Sequence, residues 1–164
     1  MRLPFRKKTP KIDLAWLTAD LALGSAPIAS QWDELFKAGV GAVLEIRSEG
    51  QDDVAVLEAR SIPYRREEVP DHGAPTLSEL YEMVQWVRAQ MNQRRKVLVH
   101  CRLGLGRSAM VACATLIALG FPLDVAYSML RKVRPNVQLS PKQVNALESL
   151  TNLVSAERRQ QAAG

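Results

Sequence analysis

Several protein classes are excluded by what this chain lacks. Its 164 residues include two cysteines, Cys101 and Cys113, twelve positions apart in one apolar region. That rules out a disulfide-stapled scaffold and reads as free thiols in a reducing compartment. Two histidines, His72 and His100, stand far apart, and cysteines and carboxylates do not cluster around them in the chain, so no metal-ligand spacing is present and no metal is expected. Aromatic residues at 5% supply no stacking platform for nucleic acid. The longest uncharged run, Ser108 to Leu123, is 16 residues and contains Gly120 and Pro122. It is short for a membrane span and reads as a buried helix with its stop. The basic start, with Arg2, Arg6, Lys7, Lys8 and Lys11, leads into a stretch broken by Asp13 and Asp20, a poor secretory signal, so a cytoplasmic location is expected.

What remains is ordinary globular composition, 47% hydrophobic and 24% charged, at a length where folding hides about 70% of the extended chain's surface. Lys+Arg exceed Asp+Glu by 22 to 17, for a net charge of +5. This favours anionic partners or simply describes a mildly basic surface, and charge alone does not choose between them. No linker, repeat or low-complexity block divides the chain. The expected layout is a basic tail over 1–11, one domain over 12–154 and a polar tail over 155–164.

Short β-type runs occur at Ala15–Leu17, Leu21–Leu23, Val40–Ile46, Ile62–Val69 and Val97–His100. Val40–Ile46 and Val97–His100 are nearly all apolar, as in strands covered on both faces. A helix is predicted from Thr76 to Arg94, opened by the capping-box pattern Thr76-Leu77-Ser78-Glu79, with Leu80, Val84, Val87 and Met91 on one stripe. Further helices are predicted over Arg107–Leu119, stopped by Gly120, over Leu123–Val133, and from Ser140-Pro141 onward with Val144, Leu147, Leu150 and Val154 on one face. Alternation of strands and helices predicts an α/β domain with parallel pairing and a ligand site beyond the strands' carboxyl ends.

Directly after the strand Val97–Val99 comes His100-Cys101-Arg102-Leu103-Gly104-Leu105-Gly106-Arg107-Ser108. Glycines let this loop curl so that its N–H groups point inward, and the following helix adds the partial positive charge of its N-terminus. Arg102, Leu103, Gly104, Leu105, Gly106 and Arg107 would cradle a phosphate-sized anion. Arg107 would grip the oxygens in two places. The same groups favour thiolate at Cys101, predicting a pKa within about 3.5–7.5.

This segment resembles the signature of the cysteine-dependent protein tyrosine phosphatases, in particular the small dual-specificity type: His-Cys, five residues, Arg, then Ser or Thr. The resemblance extends to Val69-Pro70-Asp71, to Trp16 with Leu23-Gly24-Ser25-Ala26-Pro27, and to Arg134-Pro135 with Gln143. Leu103 departs from the alanine found in many members. Leu105 stands where phosphoinositide-specific relatives commonly have lysine, which lowers the lipid reading, although Arg102 keeps one extra cation there. The resemblance implies a single α/β domain with a mixed, mainly parallel central sheet flanked by helices, no cofactor, and a cysteinyl-phosphate intermediate formed by Cys101 and stabilised by the loop and Arg107.

The leaving group needs a general acid from another segment. Asp71 is the choice, in a Pro/Gly-rich loop at a predicted strand end, where the family's acid loop lies. Asp52 and Asp53 compete but read as N-caps of a helical stretch, Val54–Arg60; Glu67 and Glu68 are weaker. Ser108 is assigned to hydrogen-bonding the sulfur. His100 fixes the loop through its ring or is a satisfied core histidine. Gln143 either places the attacking water or is a helix-surface glutamine. Cys113 reads as core, with redox capture of an oxidised Cys101 as the alternative.

The expected function is a metal-independent phosphomonoester hydrolase for phosphorylated proteins, on phosphotyrosine and also phosphoserine or phosphothreonine. The alternative substrates are phosphoinositides, inositol phosphates or RNA 5′ phosphates, and RNA enters only in that capacity. A non-catalytic phosphate-binding module is the remaining reading. Neither the physiological substrate nor the oligomeric state follows from sequence.

Overall fold

The computed structural model describes residues 11–164, so the basic start, apart from Lys11, lies outside the described residues. Five strands, β1 (Ala15–Trp16), β2 (Leu21–Ser25), β3 (Val40–Ile46), β4 (Tyr64–Glu67) and β5 (Lys96–Cys101), form one sheet in the order β1-β2-β5-β3-β4. β1 pairs antiparallel to β2; every other pair is parallel. The sheet is therefore mixed and mainly parallel, as expected, and β5 lies at its centre.

Alternation along the strands sorts the core into two layers. Val97 and Val99 of β5, with Ala42, Leu44 and Ile46 of β3, face α3 (Leu77–Asn92), α4 (Arg107–Leu119), α5 (Leu123–Val133) and α6 (Pro141–Ala163). Leu98 and Val43 face the opposite side, against α1 (Trp32–Lys37) and α2 (Val54–Ala59). α4 is buried from Arg107 to Ile117. Each of its large apolar side chains contributes about 1.5–3 kcal/mol of burial, which fixes the start of this helix against the end of β5.

Local signals account for the boundaries. Thr76 accepts from Glu79 N–H while the Glu79 carboxylate accepts from Thr76 N–H, so the capping box starts α3 one residue after the predicted start. Gly120, at φ +119°, ends α4 in the left-handed conformation that glycine adopts without penalty. The fourth strand is shorter than the predicted Ile62–Val69, because the chain leaves the sheet at Glu67 to form the loop that carries Asp71. The polar segment from Ser155 was expected as a tail and instead continues α6 to Ala163. Its polar residues are tethers: Arg158 donates to the Ile117 carbonyl at 3.1 Å at the end of α4, and burial and the Glu157 carboxylate beside it raise the Tyr81 hydroxyl of α3 above the ordinary range. Among the described residues no helix is long and apolar enough to cross a membrane.

Candidate active site

β5 ends at Cys101 and α4 begins at Arg107, so the five residues between them must reverse direction at the carboxyl edge of the sheet. Gly104 makes the bend at φ +70°. Its N–H donates to Cys101 Sγ at 3.3 Å, and its carbonyl accepts from Arg134 Nε at 3.1 Å. Arg134 is held in turn by the Asp13 carboxylate, Nη2 to Oδ2 at 2.9 Å. The loop is braced on its flanks as well, by Ala26 N–H on the Arg102 carbonyl at 3.1 Å and Gln138 N–H on the Leu105 carbonyl at 2.9 Å. Arg102 is exposed, and Leu103 is 61% exposed at the loop's outer side.

Cys101 is buried at the base of a cavity of about 140 Å³ lined by Asp71, His72, Arg102, Leu103, Leu105, Gly106, Arg107, Gln138 and Gln143. Burial alone pushes its thiol up. The Ser108 hydroxyl at 3.2 Å, the Ser108 and Gly104 backbone amides, and the Arg107 charge outweigh burial and hold Cys101 below the ordinary thiol range. Cys113 is the internal contrast: burial without donors pushes it up to about 12, as suits a packed core thiol.

Arg107 is 2% exposed. Its Nη1 donates to Glu49 Oε2 at 2.7 Å and to the Val69 carbonyl at 2.8 Å, and its Nη2 donates to Glu49 Oε1. Nε is a buried polar atom without a partner among the described residues, leaving one edge of the guanidinium for an anion. The bond from Arg107 holds the Glu49 carboxyl down to about 2.

Asp71 lines the same cavity, its Oδ1 3.6 Å from Arg107 Nη2 and its side chain 61% exposed. Its loop is shaped by a Gly73 N–H to Pro70 carbonyl turn at 2.9 Å and by His72 at φ +58°. Two bonds from the start of α6 hold it: Ser140 Oγ donates to the His72 carbonyl at 2.7 Å and Gln143 Nε2 to the Gly73 carbonyl at 3.0 Å. Gln143 is 1% exposed, which overturns its reading as a helix-surface residue. Glu67 and Glu68 pair with Arg65 and Arg66.

The sequence does not reveal the partners of four carboxylates, of which Asp13 on Arg134 is one. Glu49 is the clamp on Arg107. Asp53 caps α2 as expected, but Asp52 does not cap: its carboxylate lies buried 2.6 Å from His100 Nε2. Glu45, in β3, takes bonds from Arg47, Tyr64 and Asp52 N–H. Glu45, Asp52 and His100 bring ligand-type atoms within 4.8 Å of one another, so the fold gathers the carboxylate cluster that chain spacing concealed. Arg47 and Tyr64 supply its donors. A charge inside the apolar run Val-Leu-Glu-Ile was the available signal, since a buried strand admits an unpaired carboxylate only at high cost.

Residues 21–152 match the family described as the dual specificity phosphatase catalytic domain. The chain is 32% identical over 91 residues to cyclin-dependent kinase inhibitor 3 of Rattus norvegicus, covering 54% of this chain and 43% of that protein. It is 25% identical over 139 residues to phosphatidylglycerophosphate phosphatase PTPMT2 of Arabidopsis thaliana, covering 82% and 61%. It thus spans less than two thirds of either relative. The crystal structure of Tk-PTP in the active form is similar with a TM-score of 0.80 at 26% identity, covering 85% of this chain and 97% of that one.

Proposed function

Because this chain belongs to the dual-specificity phosphatase catalytic-domain family, we propose that it hydrolyses phosphomonoesters on proteins, phosphotyrosine and also phosphoserine or phosphothreonine, through a cysteinyl-phosphate that needs no metal. One observation carries the reading: a sulfur below the usual thiol range shares a cavity with a buried guanidinium whose Nε has no partner among the described residues.

In the first half-reaction the Cys101 thiolate attacks phosphorus. The ester P–O bond breaks, and Asp71 protonates the departing oxygen. Inward amides and Arg107 stabilise the equatorial oxygens. In the second, Asp71 takes a proton from water, whose oxygen attacks phosphorus. The P–S bond breaks, with Ser108 stabilising the sulfur that leaves. Gln143 holds the acid loop toward the cavity. His100 supports the loop from below.

Asp71 and His72 also line an open groove of about 500 Å³ with Pro70, Ala74, Pro141 and Lys142. This gives the residues flanking a phosphorylated side chain a place beside the cavity, which supports the protein reading. The second reading, a lipid phosphomonoester, is favoured by exposed Leu103 and by Ile28, 52% exposed on the segment bonded beside the loop. An apolar rim of this kind suits a bilayer interface. The similarity to a phosphatidylglycerophosphate phosphatase points the same way.

The test is direct competition of phosphopeptides with phosphatidylglycerophosphate and phosphoinositide vesicles, compared by kcat/KM. Cys101→Ser serves as the control: it should abolish turnover while tungstate still binds. Preference for the vesicles would move the assignment to lipids.

A further inference from the structure

The loop between β3 and α2 places a buried carboxylate against His100, the residue before the nucleophile, and no step of the proposed reaction uses it. The Asp52 carboxylate is fully covered, with Oδ2 at 2.6 Å from His100 Nε2. Across the ring, His100 Nδ1 faces the Cys101 carbonyl oxygen at 3.4 Å. Both ring nitrogens point at oxygens, and with Asp52 ionised only a ring bearing hydrogen on each satisfies both. Charge balance agrees. Two buried carboxylates, Glu45 and Asp52, share the guanidinium of Arg47; Arg66, opposite Glu45 on β4, is itself paired with Glu68, and Tyr64 adds only a neutral hydroxyl. The ring is the group in place to complete the balance.

Each strand around the ring sets a residue near it. β2 sets Gly24 against His100, β3 sets Glu45 there, and β4 contributes Tyr64 and Arg66 by way of Glu45. The β3–α2 loop contributes Arg47 and Asp52, and the chain itself continues into Cys101. That loop is anchored by Asp52 N–H on Glu45 Oε2 at 2.9 Å. It also carries Glu49, so one short segment grips both His100 and Arg107.

We propose that Asp52 is a positioning residue for the nucleophile: it holds His100 as a doubly protonated ring, which fixes the Cys101 peptide and sets a buried positive charge one residue from the sulfur. The carboxylate and the ring are neutral as a pair. The ring is the member next to Cys101, so losing both charges removes the nearer, favourable one.

The inference rests on reading Cys101 as the nucleophile, and its readouts do not depend on turnover. In the unmutated protein, nitrogen-15 spectra of the imidazole at neutral pH should show both His100 nitrogens protonated; a neutral tautomer overturns the proposal. In Asp52→Asn, ultraviolet thiolate absorbance should show the Cys101 midpoint raised by about one pH unit, roughly tenfold less thiolate on the acid side. The acid limb of kcat/KM on an aryl phosphate should follow, and Asp52→Glu should recover part of the shift. Cys113, pushed up to about 12, does not interfere. An unmoved midpoint in folded Asp52→Asn refutes the role, and should that variant not fold, the imidazole spectra decide. Absent turnover alongside the expected spectra would instead count against the phosphatase reading and leave the pair standing.

Discussion

Ser108 Oγ stands 3.2 Å from Cys101 Sγ in the first turn of α4, as deeply buried as the sulfur it meets. A hydrogen bond to a charged group contributes about 1.5–3 kcal/mol, and here it acts most when the sulfur departs as an anion. Ser108→Ala should therefore slow breakdown of the phosphoenzyme more than its formation. Stopped-flow with a good aryl leaving group is expected to show a burst of phenolate followed by turnover slowed roughly 10- to 100-fold. The sign with pH is also set. The hydroxyl helps hold Cys101 below its usual range, so its loss shifts the acid limb of kcat/KM to higher pH. Slower turnover with neither burst nor shift would assign Ser108 to structure only.

Glu49 is bound through both oxygens to Arg107 and held to about 2. Glu49→Gln keeps the shape but removes the charge that orients the guanidinium. Expected losses are about 10-fold in kcat/KM and a comparable weakening of tungstate binding. Because the folded-state value is depressed, the pair stabilises the fold above the ordinary 4.5 and loses that contribution as pH falls toward about 2. Urea denaturation should therefore separate wild type from Glu49→Gln at neutral pH, and the gap should close in strong acid. Glu49 is 36% exposed, so the gap should also narrow with salt.

What the sequence made legible was whatever is local. Capping at Thr76 and Ser140, the stop at Gly120, and the strand–loop–helix around Cys101 are all determined by neighbours within a few positions. The loop's ligands were equally plain, since Cys101, Gly104, Arg107 and Ser108 are contiguous. The carboxylates that orient the loop's charged groups were not. Glu49 and Arg107 are 58 positions apart, Asp52 and His100 48, and Asp13 and Arg134 121. These pairs exist only because parallel β3 and β5 bring their carboxyl ends side by side, and because the start of the chain returns beside the end of α5. Ser155 onward reads as a tail in the sequence for a related reason. Its helix is held by partners on α3 and α4 rather than by an apolar stripe of its own.

Asp71 is exposed and reaches the cavity from the loop fixed by Ser140 and Gln143. As proton donor it matters in proportion to the basicity of the departing oxygen. Asp71→Asn should cost about 10²- to 10⁴-fold on alkyl or phenyl phosphates and much less on a nitrophenyl ester. A leaving-group plot of log kcat/KM checks this. A slope no steeper than that of wild type would remove Asp71 from its role. Gln143→Ala should reproduce part of that steepening by loosening the loop, with the thiolate midpoint unchanged.

Two glycines in the loop should respond oppositely to alanine. At Gly104 the backbone is at φ +70°, and a Cβ would lie 2.6 Å from the Gly24 carbonyl carbon and oxygen and 2.5 Å from Arg134 Nη2. Strand β2 cannot retreat, because Gly24 is paired to β5 within the sheet. The peptide must then rotate and take its N–H off the Cys101 sulfur. Gly104→Ala should lose about 1–3 kcal/mol of stability, raise the Cys101 midpoint and abolish most turnover. At Gly106 φ is −125°, and the nearest atoms to a Cβ would be Gln143 Oε1 at 3.3 Å and the Gln138 carbonyl oxygen and Gln143 Nε2 at 3.4 Å. Alanine there needs a shift of a few tenths of an ångström in one side chain. It should keep the fold within about 0.5 kcal/mol of wild type and leave thiolate absorbance unchanged. Thermal denaturation and thiolate titration of the two variants side by side test whether the loop's amides, rather than its mere openness, hold the sulfur in its reactive form.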